Sequence, residues 1–484
     1  MERPAYDADR EREFVSRGWW AADTLTGWVA KHAAERPDDP AVVFSKGVIS
    51  WKNLQERSLR CAEGLRRAGV GRGDVVAVQL PNTPEFLIAY LAACRLGAVL
   101  CTLHMPYRGA EIEAILGHGG ARVFLHGNLD LEGHGSLPPD FPLPDPRDPF
   151  LLLYTSGTTA SPKGVPHPYR SMLGNARLGA TEHRLSAKSR VLCAAPLSHL
   201  YGLYSLHCAW AVGACTVLLP SFKPDELSSL MEKFKPTALW TAPAHVAACR
   251  AAGLFERHDW SSLELAIVSG SSAPPPLIRF FQEKAPACAV TQLWGMTELQ
   301  AGLYSRPGDP PEVSAATTGR PSPGTEIRLS DGELQVRGPL LFTGYYRNDE
   351  ANAAAFTADG WFRSGDLAEK RGENYAITGR TKDIINRGGV KFNPVDIEML
   401  LDAHPKIQQS AIVPMPDPIL GEKACAFAVL KEKNSSLTLE EVVSYLSEKN
   451  IAKNKLPERL VVVAEMPLTP TRKIIKGKLQ IPPA

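Results

Sequence analysis

Residues 154–164, with the sequence YTSGTTASPKG, combine several hydroxyl side chains with two glycines and a lysine. The hydroxyls and the backbone N–H groups of such a loop can bind phosphate oxygens, and the ammonium group of Lys163 can add a movable positive charge. The segment does not follow the GxxxxGKS or GxxxxGKT pattern, so it is not the common nucleoside-triphosphate loop. A solvated turn has a similar composition. The residue types alone therefore leave a phosphate site and a simple turn both open.

Three later segments carry side chains that could act on a phosphate or a sugar. QLWGMTE (292–298) ends in Glu298, and a single carboxylate that shares the metal with phosphate oxygens suits Mg²⁺. GWFRSGD (360–366) ends in Asp366, which could accept hydrogen bonds from two vicinal hydroxyls or could simply belong to a turn beside glycine. PLTPTRKIIKGKL (467–479) contains Lys473, Lys476 and Lys478, although lysines at a helix end are commonly a solvated face.

Composition and charge limit the class of protein. The chain has 484 residues, of which 44% are apolar, and a net charge of +2. These values predict two to four compact domains with a sizeable core, and no basic run predicts binding to nucleic acid. The nine cysteines follow no disulfide or metal pattern, which favours free thiols in a reducing compartment. The charged N-terminus does not resemble a signal peptide, and Arg95 interrupts the most apolar window, so we expect a cytoplasmic protein without a membrane span.

Helical and extended patterns alternate from about Trp51. Residues 50–69 have apolar side chains at helical spacing, residues 74–80 are a β-branched run, and the alternation returns at residues 191–243. This rhythm predicts a mainly parallel sheet with helices on both faces. The proline-dense residues 137–149 predict an exposed connector.

The sequence pattern changes in the last part of the chain, after Gly319. Short strands and turns after Gly319 predict a small β subdomain, and the final hundred residues after Arg380 predict a separate α+β unit. Within that unit, Thr438 and Glu441 have the spacing of a capping box at the start of a helix.

The motifs together resemble the acyl-adenylate-forming superfamily, which includes acyl- and aryl-CoA synthetases. YTSGTTASPKG, APLSHLYG, SGSSAPPP, QLWGMTE, TTGRPSPG, GELQVRGP, GWFRSGD, GRTKDIINRGGVKFNPVDIE and PLTPTRKIIKGKL follow one another in family order along nearly the whole chain. The resemblance implies an α/β fold with a large N-terminal domain of mainly parallel sheets flanked by helices at 1–380, including the β subdomain at about 319–380. It also implies a smaller, mobile α+β C-terminal domain at 381–484 that turns about a hinge at Lys382.

The resemblance also assigns roles to individual residues. Lys473 is implied as the catalytic lysine of the first step, with Lys476 as the alternative, and Arg472 stands where relatives usually carry glycine. His199 is implied to orient the reacting carboxylate, and Glu298 and Thr158 to bind magnesium. The residues implied to bind ATP or AMP are Thr155, Ser156, Gly157, Thr159, Lys163, Ser271, Ser272, Ala273, Gln292, Trp294, Gly295, Met296, Thr297, Asp366, Arg380, Asn386 and Lys391.

Two further sets of residues are implied to contact the acid and the thiol. The acid would lie against His199, Tyr201, Ser205, Gly270 and Gly295, which include no basic residue suited to a second carboxylate. Gly388 and Gly389 would let the thin arm of coenzyme A pass close to the backbone.

These roles imply an AMP-forming carboxylic acid–CoA ligase. Its substrates would be ATP with Mg²⁺, coenzyme A and an apolar aromatic, alicyclic or medium-chain acid, and the protein would be a monomer or a homodimer. Two alternatives remain open at this point. One is an aryl-acid adenylating enzyme that loads a carrier-protein thiol, and the other is a non-catalytic relative that only binds a nucleotide or acyl-CoA.

Overall fold

A computed structural model describes residues 6–127, 135–138, 141–155, 163–271, 273–432, 435–469 and 473–482. Contacts between residues divide the chain into two compact units. The first unit comprises residues 1–327 and 336–362, and the second comprises residues 328–335 and 363–484.

Strands alternate with helices along most of the described chain. The strands before residue 322 are β1 (Pro40–Phe44), β2 (Gly47–Ser50), β3 (Val75–Gln79), β4 (Val99–Thr102), β5 (Ala121–His126), β6 (Pro149–Thr155), β7 (Lys163–Pro168), β8 (Arg190–Cys193), β9 (Cys215–Val217), β10 (Ala238–Thr241), β11 (Leu265–Val268), β12 (Ala289–Met296), β13 (Gln300–Tyr304) and β14 (Arg320–Pro321). The later strands are β15 (Glu326–Ser330), β16 (Glu333–Arg337), β17 (Phe362–Arg371), β18 (Asn374–Arg380), β19 (Ile385–Arg387), β20 (Val390–Phe392), β21 (Ile407–Asp417), β22 (Gly421–Leu430) and β23 (Arg459–Val462).

Most of the helices lie in the first unit. They are α1 (Ala8–Ser16), α2 (Leu25–Glu35), α3 (Trp51–Arg67), α4 (Pro84–Arg95), α5 (Gly109–Gly119), α6 (Tyr169–Glu182), α7 (Leu200–Ala211), α8 (Pro224–Phe234), α9 (Pro243–Ala251), α10 (Leu254–Arg257), α11 (Pro275–Lys284), α12 (Pro311–Ala316) and α13 (Asp349–Ala355). The second unit contains α14 (Val395–Asp402), α15 (Leu439–Glu448) and three short 3-10 turns at Thr381–Asp383, Lys453–Lys455 and Lys476–Lys478.

Two large sheets organise the first unit. One has the strand order β14-β13-β12-β11-β10-β8-β9-β1-β2, and the other has the order β5-β3-β4-β6-β7. Neighbouring strands from β12 through β11, β10, β8 and β9 to β1 are parallel, and only the outer pairs are antiparallel. The structure therefore confirms the predicted α/β fold with mainly parallel sheets and flanking helices.

The main core lies among the helices of the first unit and these two sheets. Every residue of α4 except Glu85 is buried, and the helix leads into the buried β4, so the apolar window at 86–103 is a core helix followed by a core strand. Trp51, Trp210 and Trp240 are fully buried in the same cluster. Burial of such aromatic side chains is a large favourable contribution to folding.

The described part of residues 137–149, which were predicted to form an exposed connector, is partly packed through contacts with Arg95. The guanidinium of Arg95 donates hydrogen bonds to the carbonyls of Phe141 and Pro142 at 2.8 and 3.0 Å. Leu137 in the same segment is buried, whereas Leu143 is exposed. The described part of residues 137–149 is therefore partly packed against the core, and the prediction of an exposed connector was only partly right.

Two smaller sheets are formed by strands after residue 325. Strands β15 to β18 follow one another in a four-stranded sheet, while β20, β19, β22 and β21 form a second sheet in which β23 pairs with β22. Residues Ile397, Leu401, Val442 and Leu446 pack the two helices against this second sheet. The Thr438 hydroxyl and the Glu441 carboxylate form the predicted capping box, with hydrogen bonds of 3.2 and 2.9 Å.

The division by contacts falls at residues 362 and 363, whereas the sequence placed the domain boundary at residue 380. Strands β17 and β18 pair over most of their length, and Asn393 donates a hydrogen bond to the carbonyl of Thr378. These contacts group residues 363–380 with the C-terminal part of the chain. The hinge at Lys382 stays a prediction.

All nine cysteines lie in the described part of the chain, and each is a free thiol, as the sequence predicted; the structure adds that all nine are buried. Among the described residues, no helix is both long enough and apolar enough to cross a bilayer.

Candidate active site

The phosphate-loop segment lies between two paired strands of the first unit. Thr155 ends β6 and Lys163 begins β7, and the two residues are direct partners in the antiparallel ladder. Ser156, Gly157, Thr158 and Thr159 lie outside the described residues. The ladder therefore brings the two described ends of the segment together.

Glu298 lies close behind the end of β12 and is buried, with 6% of its surface exposed. The hydroxyl of Tyr345 donates a hydrogen bond of 2.8 Å to its Oε1 atom, and its backbone carbonyl accepts one of 2.7 Å from the N–H of Phe342. Lys163 Nζ lies 4.8 Å from the centre of the Tyr345 ring, within cation–π distance. The structure thus links two predicted site residues, Glu298 and Lys163, through a tyrosine that the sequence reasoning missed.

The donor set near Glu298 fits magnesium. The described residues contain no group of three histidines, cysteines or acids that could hold a metal ion by themselves. Mg²⁺ in nucleotide sites is commonly bound by one or two carboxylates, with substrate phosphates and water completing the octahedron. A single buried carboxylate beside the phosphate-loop strands is compatible with that arrangement.

The predicted adenine contacts come from two neighbouring parallel strands, β11 and β12. Gly270, Ser271 and Ala273 follow β11, while Trp294 and Gly295 lie at the end of β12. Ser272 is outside the described residues. Carboxyl ends of adjacent parallel strands meet at one edge of a sheet, which is where ligands bind in open α/β sheets. The fold therefore brings these predicted residues to one edge.

Gly295 and Gln292, both predicted to bind the nucleotide, also stabilise the local structure. A Cβ atom on Gly295 would lie 1.8 Å from the carbonyl oxygen of Gln300, so the backbone approach there requires glycine. The Gln292 side chain donates a hydrogen bond of 2.6 Å to the carbonyl of Ser314, which ties β12 to α12. Met296 and Thr297 complete the segment and are half-buried.

The predicted acid-pocket residues lie at the start of α7. His199 is the N-cap residue, and its Nδ1 accepts a hydrogen bond of 3.2 Å from the N–H of Tyr201. Its ring is stacked on His104, with ring centres 6.0 Å apart, and burial lowers the pKa of His104 to about 4. A hydrogen-bonded cap and a stacked neighbour that stays neutral both fix the orientation of the His199 ring.

Tyr201 and Ser205 use their hydroxyls within the protein. The Tyr201 hydroxyl donates to the carbonyl of Ile267 at 2.7 Å and also lies 3.2 Å from that of Thr241, so it ties α7 to β10 and β11. The Ser205 hydroxyl donates to the carbonyl of Gly202 at 2.7 Å. A ligand in this region would therefore meet apolar surfaces of these side chains rather than spare hydroxyl donors.

Asp366 and Arg380 form an ion pair within the second unit. They are direct partners across the β17–β18 ladder, and Arg380 Nε donates a hydrogen bond of 2.6 Å to Asp366 Oδ1. Asp366 is buried, with 6% of its surface exposed. Both residues were predicted to bind ATP or AMP, and the pairing places them side by side.

Lys473 belongs to the same charged cluster. Burial and the charge of Arg380 lower the pKa of its ammonium group to about 8, and Lys382 adds to the effect, while Asp366 and Asp383 oppose it. Burial and Arg380 likewise lower the pKa of Lys382. The second unit therefore brings together four predicted site residues, Asp366, Arg380, Lys382 and Lys473.

Lys476, the alternative catalytic lysine, is engaged elsewhere. Its Nζ lies 2.8 Å from Glu398 Oε1 and 3.9 Å from Asp383 Oδ2. These ion pairs hold the chain that follows Lys473 against α14 and the 3-10 turn at Thr381–Asp383. They support Lys473 as the lysine that serves the nucleotide. Arg472 lies outside the described residues.

The predicted coenzyme A contact is a β-hairpin turn. Arg387 pairs with Val390 and Asn386 with Lys391 across β19 and β20, so Gly388 and Gly389 are the two turn residues. Their φ angles are +59° and +88°. Positive φ at both central residues is typical of the type I′ turn, which favours glycine. The side chains of Asn386 and Lys391 are exposed on either side of the turn.

Two family models match the chain. One, described as AMP-binding enzyme, matches residues 29–346, and the other, described as AMP-binding enzyme C-terminal domain, matches residues 396–473. This chain belongs to the AMP-binding enzyme family. The match covers the phosphate-loop segment, Glu298 and Tyr345 in the first model, and Lys473 in the second.

Relatives of this AMP-binding enzyme include both CoA ligases and acid-adenylating enzymes that act with a carrier protein. It is 30% identical to a medium-chain fatty-acid–CoA ligase of Escherichia coli, over 98% of this chain and 93% of that protein. It is 32% identical to a salicyl-AMP ligase/salicyl-S-ArCP synthetase of Mycobacterium tuberculosis, over 97% of this chain and 93% of that protein. The fold also matches the crystal structure of an anthranilate CoA ligase in complex with anthranoyl-AMP, with a TM-score of 0.86, 25% identity and coverage of 94% and 96% of the two chains. An AMP-forming acid ligase is therefore established as the class of enzyme.

Proposed function

We propose that this AMP-binding enzyme is a carboxylic acid–CoA ligase. It converts an apolar aromatic, alicyclic or medium-chain acid, ATP and coenzyme A into acyl-CoA, AMP and pyrophosphate. The observation that supports the activity most directly is the cluster in the second unit, where the Asp366–Arg380 pair lies beside Lys473. A carboxylate suited to ribose hydroxyls and a lysine suited to phosphate oxygens are the groups that an adenylating enzyme needs.

In the first step, a carboxylate oxygen of the acid attacks the α-phosphorus of ATP, and the bond to pyrophosphate breaks. Negative charge builds on the α-phosphoryl oxygens in this step, so fixed positive charge and precise positioning lower the barrier. We assign this stabilisation to Lys473 and Lys163. Magnesium bound through Glu298 and the phosphates would add to it by offsetting their negative charge.

In the second step, the thiol sulfur of coenzyme A attacks the acyl carbon of the adenylate. The bond to the AMP phosphate oxygen breaks, and the thiol proton is released. The turn at Gly388 and Gly389 is the proposed passage for the pantetheine arm, because a Cβ atom at Gly389 would meet nothing within 4 Å. His199 is proposed to orient the acyl carboxylate before the first step.

The apolar character of the acid follows from the same residues that line the start of α7. The hydroxyls of Tyr201 and Ser205 donate hydrogen bonds to backbone carbonyls. The surface that these two side chains present to a substrate is therefore mainly hydrocarbon. Each methylene in an apolar pocket changes specificity by only about 1–3 kcal/mol, so we expect several related acids to be accepted.

A panel of carboxylic acids tests the proposal. The purified protein is incubated with Mg²⁺-ATP and each acid, and pyrophosphate release is measured with and without coenzyme A. We expect release that depends on an apolar acid, and an acyl-CoA product by mass spectrometry when coenzyme A is present. An enzyme that releases no pyrophosphate with any acid would contradict the proposal.

The second candidate acceptor is a carrier-protein thiol. The 32% identity to a salicyl-AMP ligase/salicyl-S-ArCP synthetase is the observation that favours it. A parallel incubation replaces coenzyme A with an aryl carrier protein that bears phosphopantetheine. If the carrier protein is acylated and the incubation with coenzyme A yields no acyl-CoA, the acceptor is the carrier-protein thiol and the coenzyme A ligase proposal is wrong.

The lowered pKa of Lys473 predicts a pH dependence. The ammonium form is the one that stabilises phosphate charge, and it is lost as the pH rises through about 8. We therefore expect kcat/KM for ATP in acid-dependent pyrophosphate exchange to fall above about pH 8, since this parameter reports the free enzyme.

The Lys473→Arg variant is the control for this pH dependence. Its guanidinium keeps its charge at any pH that the protein tolerates, so the fall above pH 8 should disappear, although the overall rate is lower. If the variant and the wild type lose activity over the same pH interval, another group is responsible.

A further inference from the structure

Tyr345 contacts two different charged groups of the first unit. Its hydroxyl donates a hydrogen bond of 2.8 Å to Glu298 Oε1, and its ring lies 4.8 Å from Lys163 Nζ. One side chain thus connects a carboxylate and a lysine that are 135 positions apart in the sequence.

The position of Tyr345 is itself fixed from several sides. The side-chain amide of Asn352 accepts a hydrogen bond of 2.6 Å from the N–H of Tyr345 and donates one of 3.1 Å to its carbonyl. The ring of Phe342 packs edge-on against that of Tyr345, with centres 4.9 Å apart, and the Phe342 N–H donates to the carbonyl of Glu298. This packing leaves the Tyr345 side chain little freedom to turn away from Glu298.

We propose that Tyr345 is a positioning residue for the magnesium–ATP complex, an inference that rests on the function proposed above. Its hydroxyl fixes the orientation of the Glu298 carboxylate, the group that would hold the metal. Its ring holds the ammonium group of Lys163 beside the strand that follows the phosphate loop. A hydrogen bond to a metal-binding carboxylate fixes that ligand and commonly changes metal affinity ten- to a hundredfold when it is removed.

Binding of ATP with and without magnesium separates these two effects. The dissociation constant of ATP is measured by calorimetry for the full-length protein in Mg²⁺ and again in EDTA, and the ratio of the two values reports the contribution of the metal. In Tyr345→Phe the ring remains while the hydroxyl is lost. We expect this ratio to shrink about tenfold, with the value in EDTA unchanged within about twofold.

Two further variants complete the design. Tyr345→Leu removes both the hydroxyl and the ring, so we expect weaker binding of ATP in EDTA in addition to the smaller ratio. Tyr346→Phe is the matched control, because Tyr346 is the next residue and its ring contacts His118 rather than Glu298. It should keep the wild-type values.

The outcomes are distinct. An unchanged ratio in Tyr345→Phe, or a loss of ATP affinity that is equal in Mg²⁺ and in EDTA, would overturn the role of Tyr345 while leaving the proposed function intact. A wild-type protein that binds no ATP would contradict the proposed function, and the inference with it. If Tyr345→Phe does not fold, Asn352→Ala tests the same contact indirectly, since it removes the hydrogen bonds that position the Tyr345 backbone and so loosens the hydroxyl from Glu298. The ratio should again shrink, and an unchanged ratio would overturn the role of Tyr345.

Discussion

The Lys473→Ala variant should lose acid-dependent pyrophosphate exchange by about a hundredfold to a thousandfold. Removal of one well-placed donor to a developing negative charge costs about 3–4 kcal/mol of transition-state stabilisation. Lys473 lies in the field of both Asp366 and Arg380 in the second unit. In the second half-reaction the attack is on the acyl carbon rather than on the α-phosphorus, and we assign Lys473 no role in it, so thioester formation from supplied acyl-AMP should stay within a fewfold of wild type.

Lys476→Ala is the matched control for this experiment. Lys476 is three positions away and is engaged with Glu398 at 2.8 Å. Its loss should loosen the segment that carries Lys473 and lower adenylation much less than Lys473→Ala does. If Lys476→Ala loses more adenylation activity than Lys473→Ala, Lys476 rather than Lys473 is the catalytic lysine of the first step. Equal losses of both half-reactions in a folded Lys473→Ala protein would contradict the assignment to the first step.

The Gly389→Trp variant should show the opposite pattern. A Cβ atom at Gly389 meets nothing within 4 Å, so an indole there projects into space that we assign to the pantetheine arm. Thioester formation should fall by at least about a hundredfold, because a passage that is filled excludes the thiol from the acyl carbon. Acid-dependent pyrophosphate release should persist. Both reactions are followed in the same incubation, by pyrophosphate and by mass spectrometry of the thioester.

The backbone conformation at Gly389 needs its own control. Its φ of +88° is costly for any residue with a side chain, so part of the effect of tryptophan could come from the turn rather than from blockage. Gly389→Asn introduces a small residue that tolerates positive φ best after glycine. We expect this variant to keep most of its thioester formation. If asparagine and tryptophan are equally damaging, the turn geometry is responsible and the proposed passage is wrong.

Much of the fold followed from local patterns in the sequence. The spacing of apolar residues gave α3, and the uninterrupted apolar run gave α4 and β4, because burial on all sides leaves a continuous apolar signature. The capping box at Thr438 could also be predicted, since both of its hydrogen bonds are made within four residues. Features decided by neighbouring residues in the chain could therefore be predicted.

Contacts between distant segments could not be predicted in this way. The hydrogen bond of Tyr345 to Glu298 joins residues 47 positions apart, and its only signal was a tyrosine pair in LFTGYYR soon after GELQVRGP. Likewise, the carbonyls that Arg95 binds are 46 and 47 positions away, so the proline-dense segment looked exposed. The roles of site residues came from resemblance, and the structure adds their neighbours: Arg380 beside Asp366, and Glu398 beside Lys476.

The buried cysteines have a practical consequence for studies of motion in this enzyme. Thiol reagents attack the thiolate, and burial raises the pKa of Cys94 and of Cys101 to about 12, so the native thiols should react slowly while the protein stays folded. A fluorophore could therefore be attached to one cysteine introduced on each unit without first replacing the nine native residues. With one dye on the first unit and the other beyond residue 382, energy transfer during turnover would then test directly whether residues 381–484 turn about the predicted hinge at Lys382.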